Sequence, residues 1–347
     1  MIFYVFFICF IAILCGRYNI ISGKYIVGKK TGYKMAVWFI ILISCFRFNI
    51  GYDWSSYLSY VYPVYNPINT IRLEPFNRII CFVAGTLNQP IILFSFYAII
   101  TYYCVGKVID LYSDAKYESL MIYICLFYLI SLSTIRQAIA EAIIFYGYKY
   151  IVEKKKLKYF LICILAMCFH KSAIIAFIFY PIFYFKSTTI VLVSILFFVF
   201  FKIVLPKVLG AIFPLFMMYI EKGGIAQSSG NFQRLFYLVF YIYILLFYNK
   251  NSKIDKGQFN ICTLGVMLPF VLGGHTGGRL AEYFLMYYVL LIPKVNKRFN
   301  INYRVIFLFV FYAYFFMYLY VSVEINKSNE YVPFRWYFFE SLNQNLQ

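Results

Sequence analysis

Long apolar runs follow one another along almost the whole chain, and this feature limits the fold more than any other. Each run spans roughly 12 to 20 residues and ends in Lys, Arg, Gly, Pro or a short polar loop. Of the 347 residues, 63% are hydrophobic and 13% are charged, whereas a soluble domain of this length exposes far more charge to water. The pattern is typical of a chain that crosses a membrane many times. We therefore predict an all-α fold, a polytopic transmembrane helical bundle.

About twelve spans are predicted, within a range of about 11 to 14. Their approximate bounds are 1–16, 34–46, 79–106, 118–134, 136–151, 158–170, 172–186, 188–205, 235–248, 258–274, 280–293 and 303–322. The segment 79–106 is interrupted at 88–90 by Asn, Gln and Pro. It is either one kinked span or a short re-entrant helix followed by a full span. The whole chain, 1–347, is expected to form a single integral membrane domain.

The basic residues predict the orientation. One set of alternate connections holds 20 of the 32 Lys and Arg residues, and the other set, with both termini, holds 12. Since loops rich in Lys and Arg stay in the cytoplasm, the richer side is cytoplasmic and both termini face outward. The loop 206–233 and the C-terminal tail 323–347 then lie outside, where they could cover an outward-facing site or serve as plain linkers.

The net charge of +19 does not indicate a nucleic-acid partner, because the basic residues lie in short loops between apolar runs. The nine cysteines fall mostly inside apolar runs, with no Cys-x-x-Cys motif and no Cys/His cluster. They are expected to be small buried residues. We expect no metal site and no cofactor.

Polar and ionisable residues gather at the outer ends of the predicted spans. They are Arg47, Asp53, Glu74, Arg78, Arg136, Gln137, Glu141, His170, Lys171, His275, Arg279 and Glu282. Such groups are costly at a membrane boundary, so they tend to be paired or functional. Any one pair at helical spacing, such as Gln137 and Glu141, could simply be structural. A set drawn from six segments favours a site for an anionic, phosphorylated substrate, because arginine pairs bidentately with phosphate oxygens.

Five short segments carry a more specific pattern. They are RFNIGYDWSSY at 47–57, LEPFN at 73–77, IRQAIA at 135–140, FHKSA at 169–173, and RLAEYF at 279–284 followed by Pro293. In this order they resemble the motifs R-x-x-x-G-x-D-x-x-x-Y, E-P-G-F, R-Q-x-x-A, H-x-S-A and R-x-x-x-Y-F … P of the EpsG family of Wzy-like polysaccharide polymerases. Phe76 stands where the family motif has its glycine. The resemblance covers most of the chain.

The resemblance implies a function. It implies a multi-pass, GT-C-like glycosyltransferase of the bacterial cytoplasmic (inner) membrane, with an outward-facing active site and no required metal. Its substrate would be undecaprenyl-pyrophosphate-linked oligosaccharide, polymerised into O-antigen, capsule or exopolysaccharide. The partners are then the lipid-linked substrate and membrane lipid, with a chain-length regulator protein as a further candidate and no nucleic acid.

In that reaction a sugar hydroxyl attacks C1 of another unit and the lipid pyrophosphate leaves. Positive charge stabilises the leaving group, and Arg136 and Arg279 are the first choices for it, with Arg47 next. Arg78, Gln137, Lys171 and His275 complete the predicted substrate-binding set. A general base assists the attacking hydroxyl; the candidates are Glu141, Asp53, Glu74 and His170, and the sequence does not rank them.

Two other functions compete with the polymerase. A flippase for the same lipid-linked unit would also have about twelve helices and a cationic cavity, but a transporter usually has two related halves. We find no internal repeat in the chain. A membrane O-acyltransferase acting on sugars would need an activated His with an Arg/Asp set near the first helix, and the start of this chain lacks them.

Overall fold

A computed structural model describes residues 1–19, 24–27, 30–62, 73–200, 229–272, 274–325 and 330–338. Within these ranges the chain is a succession of helices, which confirms the all-α prediction. One short ribbon is the exception, in which Gly16–Asn19 pairs antiparallel with Lys24–Val27. The ribbon lies in the connection between the first two predicted spans, 1–16 and 34–46, and no strand was predicted there.

The helices mostly overlap predicted spans, and Trp54–Val61 lies outside all of them. They are α1 (Ile2–Cys15), α2 (Lys30–Cys45), α3 (Trp54–Val61), α4 (Pro75–Thr86), α5 (Ile91–Tyr112), α6 (Lys116–Ser133), α7 (Ile135–Val152), α8 (Lys156–Met167), α9 (Lys171–Tyr184), α10 (Ser187–Val199), α11 (Ser229–Phe247), α12 (Lys253–Val271), α13 (Gly274–Leu285), α14 (Tyr288–Asn296) and α15 (Ile301–Tyr320). Helix α6 contains a π turn at Ile124–Tyr128, and α9 begins as a 3-10 helix at Lys171–Ile178.

Within the described ranges, three helices are both long and apolar enough to cross a membrane: Ile91–Tyr112, Lys116–Ser133 and Asn302–Glu324. Five shorter apolar helices accompany them, at Ile2–Cys15, Thr31–Cys45, Lys171–Tyr184, Ser187–Val199 and Gln233–Phe247. The protein is therefore a helical membrane protein, while the number of twelve spans stays a prediction.

The predicted segment 79–106 forms two helices, α4 and α5. They are separated at Leu87–Pro90, where Asn88 has a φ of +52°. This agrees with the second alternative of a short helix followed by a full one, since a left-handed residue and a proline both end a helix. The predicted span 280–293 likewise consists of parts of α13 and α14, which are separated at 286–287.

The chain divides into two compact units. Unit 1 contains Met1–Tyr146, Leu161–Ala173 and Asn300–Gln347, and unit 2 contains Gly147–Phe160 and Ile174–Phe299. In unit 1, α2 packs on α5, and the π turn of α6 packs on α15. In unit 2, α12 packs against α9, α10, α11 and α13. Most of the predicted outer loop 206–233 lies outside the described residues.

Candidate functional site

The candidate site lies in unit 1, where the start of α4 meets the start of α7. Glu74 precedes Pro75, so its backbone is extended (φ −64°, ψ 155°) and it occupies the N-cap position of α4. Its side chain makes no capping hydrogen bond. Instead, Oε2 of Glu74 accepts a hydrogen bond of 2.8 Å from Nη1 of Arg136. Arg136 lies in the first turn of α7, where the positive end of the helix dipole disfavours a cation. The carboxylate of Glu74 offsets this repulsion.

Two further donors hold the Glu74 carboxylate. Nδ2 of Asn77 donates to Oε2 at 2.8 Å, and the backbone N–H of Lys171 donates to Oε1 at 3.3 Å. Asn77 is itself fully buried; its Nδ2 also donates to the carbonyl oxygen of Phe169 at 2.7 Å, and its Oδ1 accepts from the Tyr97 hydroxyl. The motif segments 73–77, 135–140 and 169–173 therefore meet at one carboxylate.

The pKa of Glu74 reflects these partners. Burial alone would raise the pKa of the carboxyl, but backbone hydrogen bonding, the charge of Arg136 and the hydrogen bond from Asn77 outweigh burial and lower the pKa below its ordinary value. Glu74 is therefore an anion at neutral pH.

Arg47 forms the second cationic centre of unit 1. It follows α2 directly and is 3% exposed. Its guanidinium lies over the ring of Phe94, with Cζ 5.4 Å from the ring centroid. Its Nε has no hydrogen-bond partner, and among the described residues no ion pair to Arg47 is found. In the part of the chain that the structure describes, this buried charge has no carboxylate partner, an arrangement that is costly unless an anion or water compensates for it.

A small cavity lies beside Arg47. Its volume of about 10 Å³ provides room for roughly one water molecule. Hydroxyl groups line it together with the guanidinium, from Tyr97, Thr101, Tyr102 and Ser131. The Tyr102 hydroxyl lies 2.9 Å from Oγ of Ser131. The cavity wall therefore combines polar groups with the apolar side chains of Phe94, Ala98 and Ile135.

Aromatic rings connect the two arginines. Tyr57 is 5% exposed, and its ring lies edge-on to Phe94 with centroids 6.3 Å apart. The centroid of the Tyr60 ring is 6.1 Å from that of Tyr57, and Cζ of Arg136 lies 5.5 Å from the Tyr60 centroid. Arg47 and Arg136 thus flank one aromatic cluster, with Tyr57 between them.

Gly51 explains how the Arg47 segment approaches α6. Its φ is +106°, and a Cβ atom there would lie 2.5 Å from the carbonyl oxygen of Leu132. Only glycine fits both the conformation and the space. The next residue, Tyr52, donates its backbone N–H to Oγ of Ser133 at 3.1 Å. The glycine of the R-x-x-x-G-x-D segment therefore lets residues 47–53 lie against the end of α6.

The remaining predicted residues of unit 1 lie around this cluster. Asp53 occupies the N-cap position of α3, one turn before Tyr57, without capping the helix. Nε of the exposed Arg78 donates to the Leu73 carbonyl oxygen at 2.8 Å. Nδ1 of His170 lies 2.5 Å from Oγ of Ser172. Gln137 and Glu141 are both buried in α7, and Nε2 of Gln137 donates to Oε1 of Glu141 at 2.7 Å, as their spacing predicted.

The late predicted residues belong to unit 2. Arg279 and Glu282 lie on α13. Glu282 is 4% exposed and interacts electrostatically with Arg279. Residues three apart on a helix lie on one face, which agrees with this proximity. The side chain of His275 lies outside the described part of the chain. The expectation that Arg279 joins Arg47 and Arg136 in one pocket stays a prediction.

Asn77, Tyr57 and Tyr60 were not predicted as site residues. Asn77 lies within a motif segment, so its buried amide was a detectable signal. Tyr57 is the last residue of the R-x-x-x-G-x-D-x-x-x-Y motif, so it was also detectable, whereas Tyr60 is one of 37 tyrosines in the chain and no local pattern distinguishes it. In the described ranges, no three His, Cys, Asp or Glu side chains come together in a group that could hold a metal ion.

Fold and site together define a helical membrane protein in which a buried arginine and a partly exposed arginine paired with a buried glutamate contact one aromatic cluster, an arrangement that can chemically accommodate an anionic substrate group. The model of the EpsG family matches residues 32–336. The chain therefore belongs to the EpsG family, a family of Wzy-like polysaccharide polymerases, which confirms the resemblance found in the sequence. No curated protein and no solved structure matches the chain.

Proposed function

We propose that this membrane polysaccharide polymerase joins undecaprenyl-pyrophosphate-linked oligosaccharide units on the outer face of the bacterial cytoplasmic membrane. The observation that carries the proposal is the charge distribution around the site. Glu74 balances Arg136, whereas Arg47 is buried with an unpartnered Nε. A substrate phosphate would supply the anion that this cluster lacks, with hydrogen bonds from guanidinium groups. A GT-C-like fold and a cytoplasmic-membrane location belong to the same proposal.

The reaction needs the cations more than it needs an acid. The oxygen of an acceptor sugar hydroxyl forms a bond to C1 of the donor unit, and the bond from C1 to the phosphate oxygen breaks. The lipid pyrophosphate leaves with the bonding electron pair, and the hydroxyl proton passes to a carboxylate. Arg136 and Arg47 stabilise the charge that develops on the departing pyrophosphate, and Arg279 stays a candidate for the same role.

Glu74 suits the positioning of Arg136 better than it suits base catalysis. Its carboxylate already accepts hydrogen bonds from three donors, and its pKa is lowered. A general base works best with a pKa near the working pH. Asp53 is the preferred base, since its half-buried carboxyl lies one turn before Tyr57. Glu141 and His170 remain the alternatives.

The test is reconstitution of the purified protein in liposomes with a synthetic pyrophosphate-linked repeat unit. A polymer ladder on a gel is expected from the wild type, and none from Arg136→Gln or Asp53→Asn. Asp53→Glu is expected to retain part of the activity because it keeps a carboxylate. A wild-type ladder from Arg136→Gln would exclude the phosphate role of that residue.

The same experiment separates a polymerase from a flippase. A polymerase lengthens the sugar chains in a detergent solution, where no membrane separates two compartments. A flippase moves units across the bilayer and leaves every chain one unit long. In cells, loss of the polymerase leaves single-repeat units on the outer leaflet, whereas loss of a flippase leaves them on the inner leaflet. Single units alone, in detergent and in liposomes, would overturn the proposal.

A further inference from the structure

The described C-terminal segment, residues 330–338, is attached to the segment that carries Arg47. Three backbone hydrogen bonds connect them: Gly51 N–H to the Glu330 carbonyl at 2.8 Å, Phe48 N–H to the Arg335 carbonyl at 3.0 Å, and Tyr337 N–H to the Phe46 carbonyl at 2.8 Å. An isolated antiparallel bridge pairs Arg47 with Trp336. The end of the chain therefore supports the backbone on both sides of Arg47.

Tyr331 anchors this segment in the interior of unit 1. It is 1% exposed. Its hydroxyl lies 2.6 Å from Oγ of Ser133, and its carbonyl oxygen accepts a hydrogen bond of 2.9 Å from the Tyr4 hydroxyl. Its ring lies edge-on to Tyr52 with centroids 5.3 Å apart. A tyrosine so deeply buried, with both its hydroxyl and its carbonyl engaged, holds one position in the unit.

Ser133 connects Tyr331 to the start of α7. Ser133 ends α6 and precedes Arg136 by three residues, with Thr134 as the break between α6 and α7. Oγ of Ser133 contacts the Tyr331 hydroxyl and also accepts from the backbone N–H of Tyr52. Tyr52 in turn lies five residues after Arg47. The pair of hydroxyls therefore connects the element that carries Arg47 to the element that carries Arg136.

We propose that Tyr331 is a positioning residue of the polymerase, which sets the spacing of Arg47 and Arg136 through its hydroxyl contact with Ser133. The inference rests on the proposed function, because the spacing matters only if both guanidinium groups contact one substrate. Without the hydroxyl, the C-terminal segment still packs through its ring and its backbone hydrogen bonds. What is lost is the connection to the start of α7.

The test is Tyr331→Phe, with Tyr312→Phe as the matched control. The Tyr312 hydroxyl lies 2.8 Å from the Tyr117 hydroxyl in the same unit, so the control also removes one hydroxyl–hydroxyl contact. Initial rates with the synthetic lipid-linked repeat unit give KM and kcat. The rates are normalised to the amount of folded protein, which is measured by size-exclusion chromatography. Tyr331→Phe is expected to raise KM roughly two- to tenfold, the effect of one neutral hydrogen bond, and Tyr312→Phe is expected to leave it unchanged.

A merely structural role would give a different result. Lost stability lowers the amount of folded protein and leaves the KM of the remainder unchanged. A double variant adds a second readout: Tyr331→Phe combined with Ser133→Ala is expected to raise KM no further than Ser133→Ala alone, since both changes remove the same contact. A wild-type KM in Tyr331→Phe, or additive effects in the double variant, would overturn the inference.

Different variants test the proposed function and the positioning role of Tyr331. If Arg136→Gln polymerises normally, the proposed site is wrong. If Arg136→Gln is inactive and Tyr331→Phe has a wild-type KM, only the positioning role of Tyr331 is wrong.

Discussion

Removing both charges of the Glu74–Arg136 pair in one double variant is expected to abolish polymer formation while leaving the stability of unit 1 nearly unchanged. The side chain of Glu74 is 7% exposed and that of Arg136 is 23% exposed. In Arg136→Gln, the Glu74 anion is left in the interior with Asn77 and the backbone of Lys171, which is expected to cost roughly 2–4 kcal/mol of folding free energy. In Glu74→Gln, the cation stays partly hydrated over Tyr60, and the expected cost is about 1–2 kcal/mol.

The double variant Glu74→Gln/Arg136→Gln removes both charges, so no buried charge is left uncompensated. Its stability is expected to lie within about 1 kcal/mol of the wild type. The coupling free energy between the two sites is then about 2 kcal/mol or more. Polymer formation is not expected to return, because the guanidinium that contacts the leaving pyrophosphate is still missing.

The chain supplies a matched control pair in the same unit. Arg304 hydrogen-bonds Glu118, and their side chains are 25% and 8% exposed, nearly the values of the first pair. Glu118 and Arg304 lie in the connections 107–118 and 294–304, which belong to the set rich in Lys and Arg, so this pair is predicted to lie on the cytoplasmic side. Its double neutral variant, Glu118→Gln/Arg304→Gln, is expected to retain polymer formation with a similar small change in stability.

Two measurements decide the outcome. The free energy of unfolding comes from denaturation in mixed detergent micelles, and the polymer ladder comes from cells that lack their own polymerase. A double variant at Glu74 and Arg136 that regains full-length polymer would refute the catalytic role of the guanidinium. Purely additive stability losses would refute the pairing. Loss of polymer in the control variant would show that neutralising any ion pair of unit 1 has the same effect.

Three further predictions follow from single positions. Gly51→Ala is expected to lower the folding free energy by about 2–4 kcal/mol, since its backbone φ disfavours alanine and the Leu132 carbonyl occupies the space of a Cβ atom; a melting temperature equal to that of the wild type would contradict this. Arg47→Lys is expected to lose polymer formation in the reconstituted assay, because lysine keeps the charge and loses the planar fork; retained activity would show that charge alone suffices. The stability advantage of the wild type over Glu74→Gln is expected to be constant at neutral pH and to shrink below about pH 4.3. A carboxyl whose pKa is lowered in the folded state stabilises the fold above its unfolded pKa, and this contribution is lost as pH falls through the folded value. An advantage that persists in strong acid would contradict the ionic role.

Several parts of the site could be read from the sequence, because they depend on local spacing. Gln137 and Glu141 are one helical turn apart, and the structure pairs them. The interruption at residues 88–90 predicted either a kink or two separate helices, and the helix ends there. The partner of Glu74 could not be predicted from spacing: Arg78 is one turn away, yet the carboxylate pairs with Arg136, 62 residues later.

The sequence by itself determined that the chain is a helical membrane protein and which residues are costly to place there. Hydrophobic runs and basic loops act through the free energy of transferring side chains between water and membrane, and glycines act through local backbone conformation. Both effects depend mainly on residues that are close together in the chain. Only the tertiary structure decided that Glu74, Asn77, Arg136 and Lys171 meet, and that residues near the C-terminus support Arg47. These contacts join segments that are far apart in the chain, so their geometry depends on how the helices pack rather than on any local pattern.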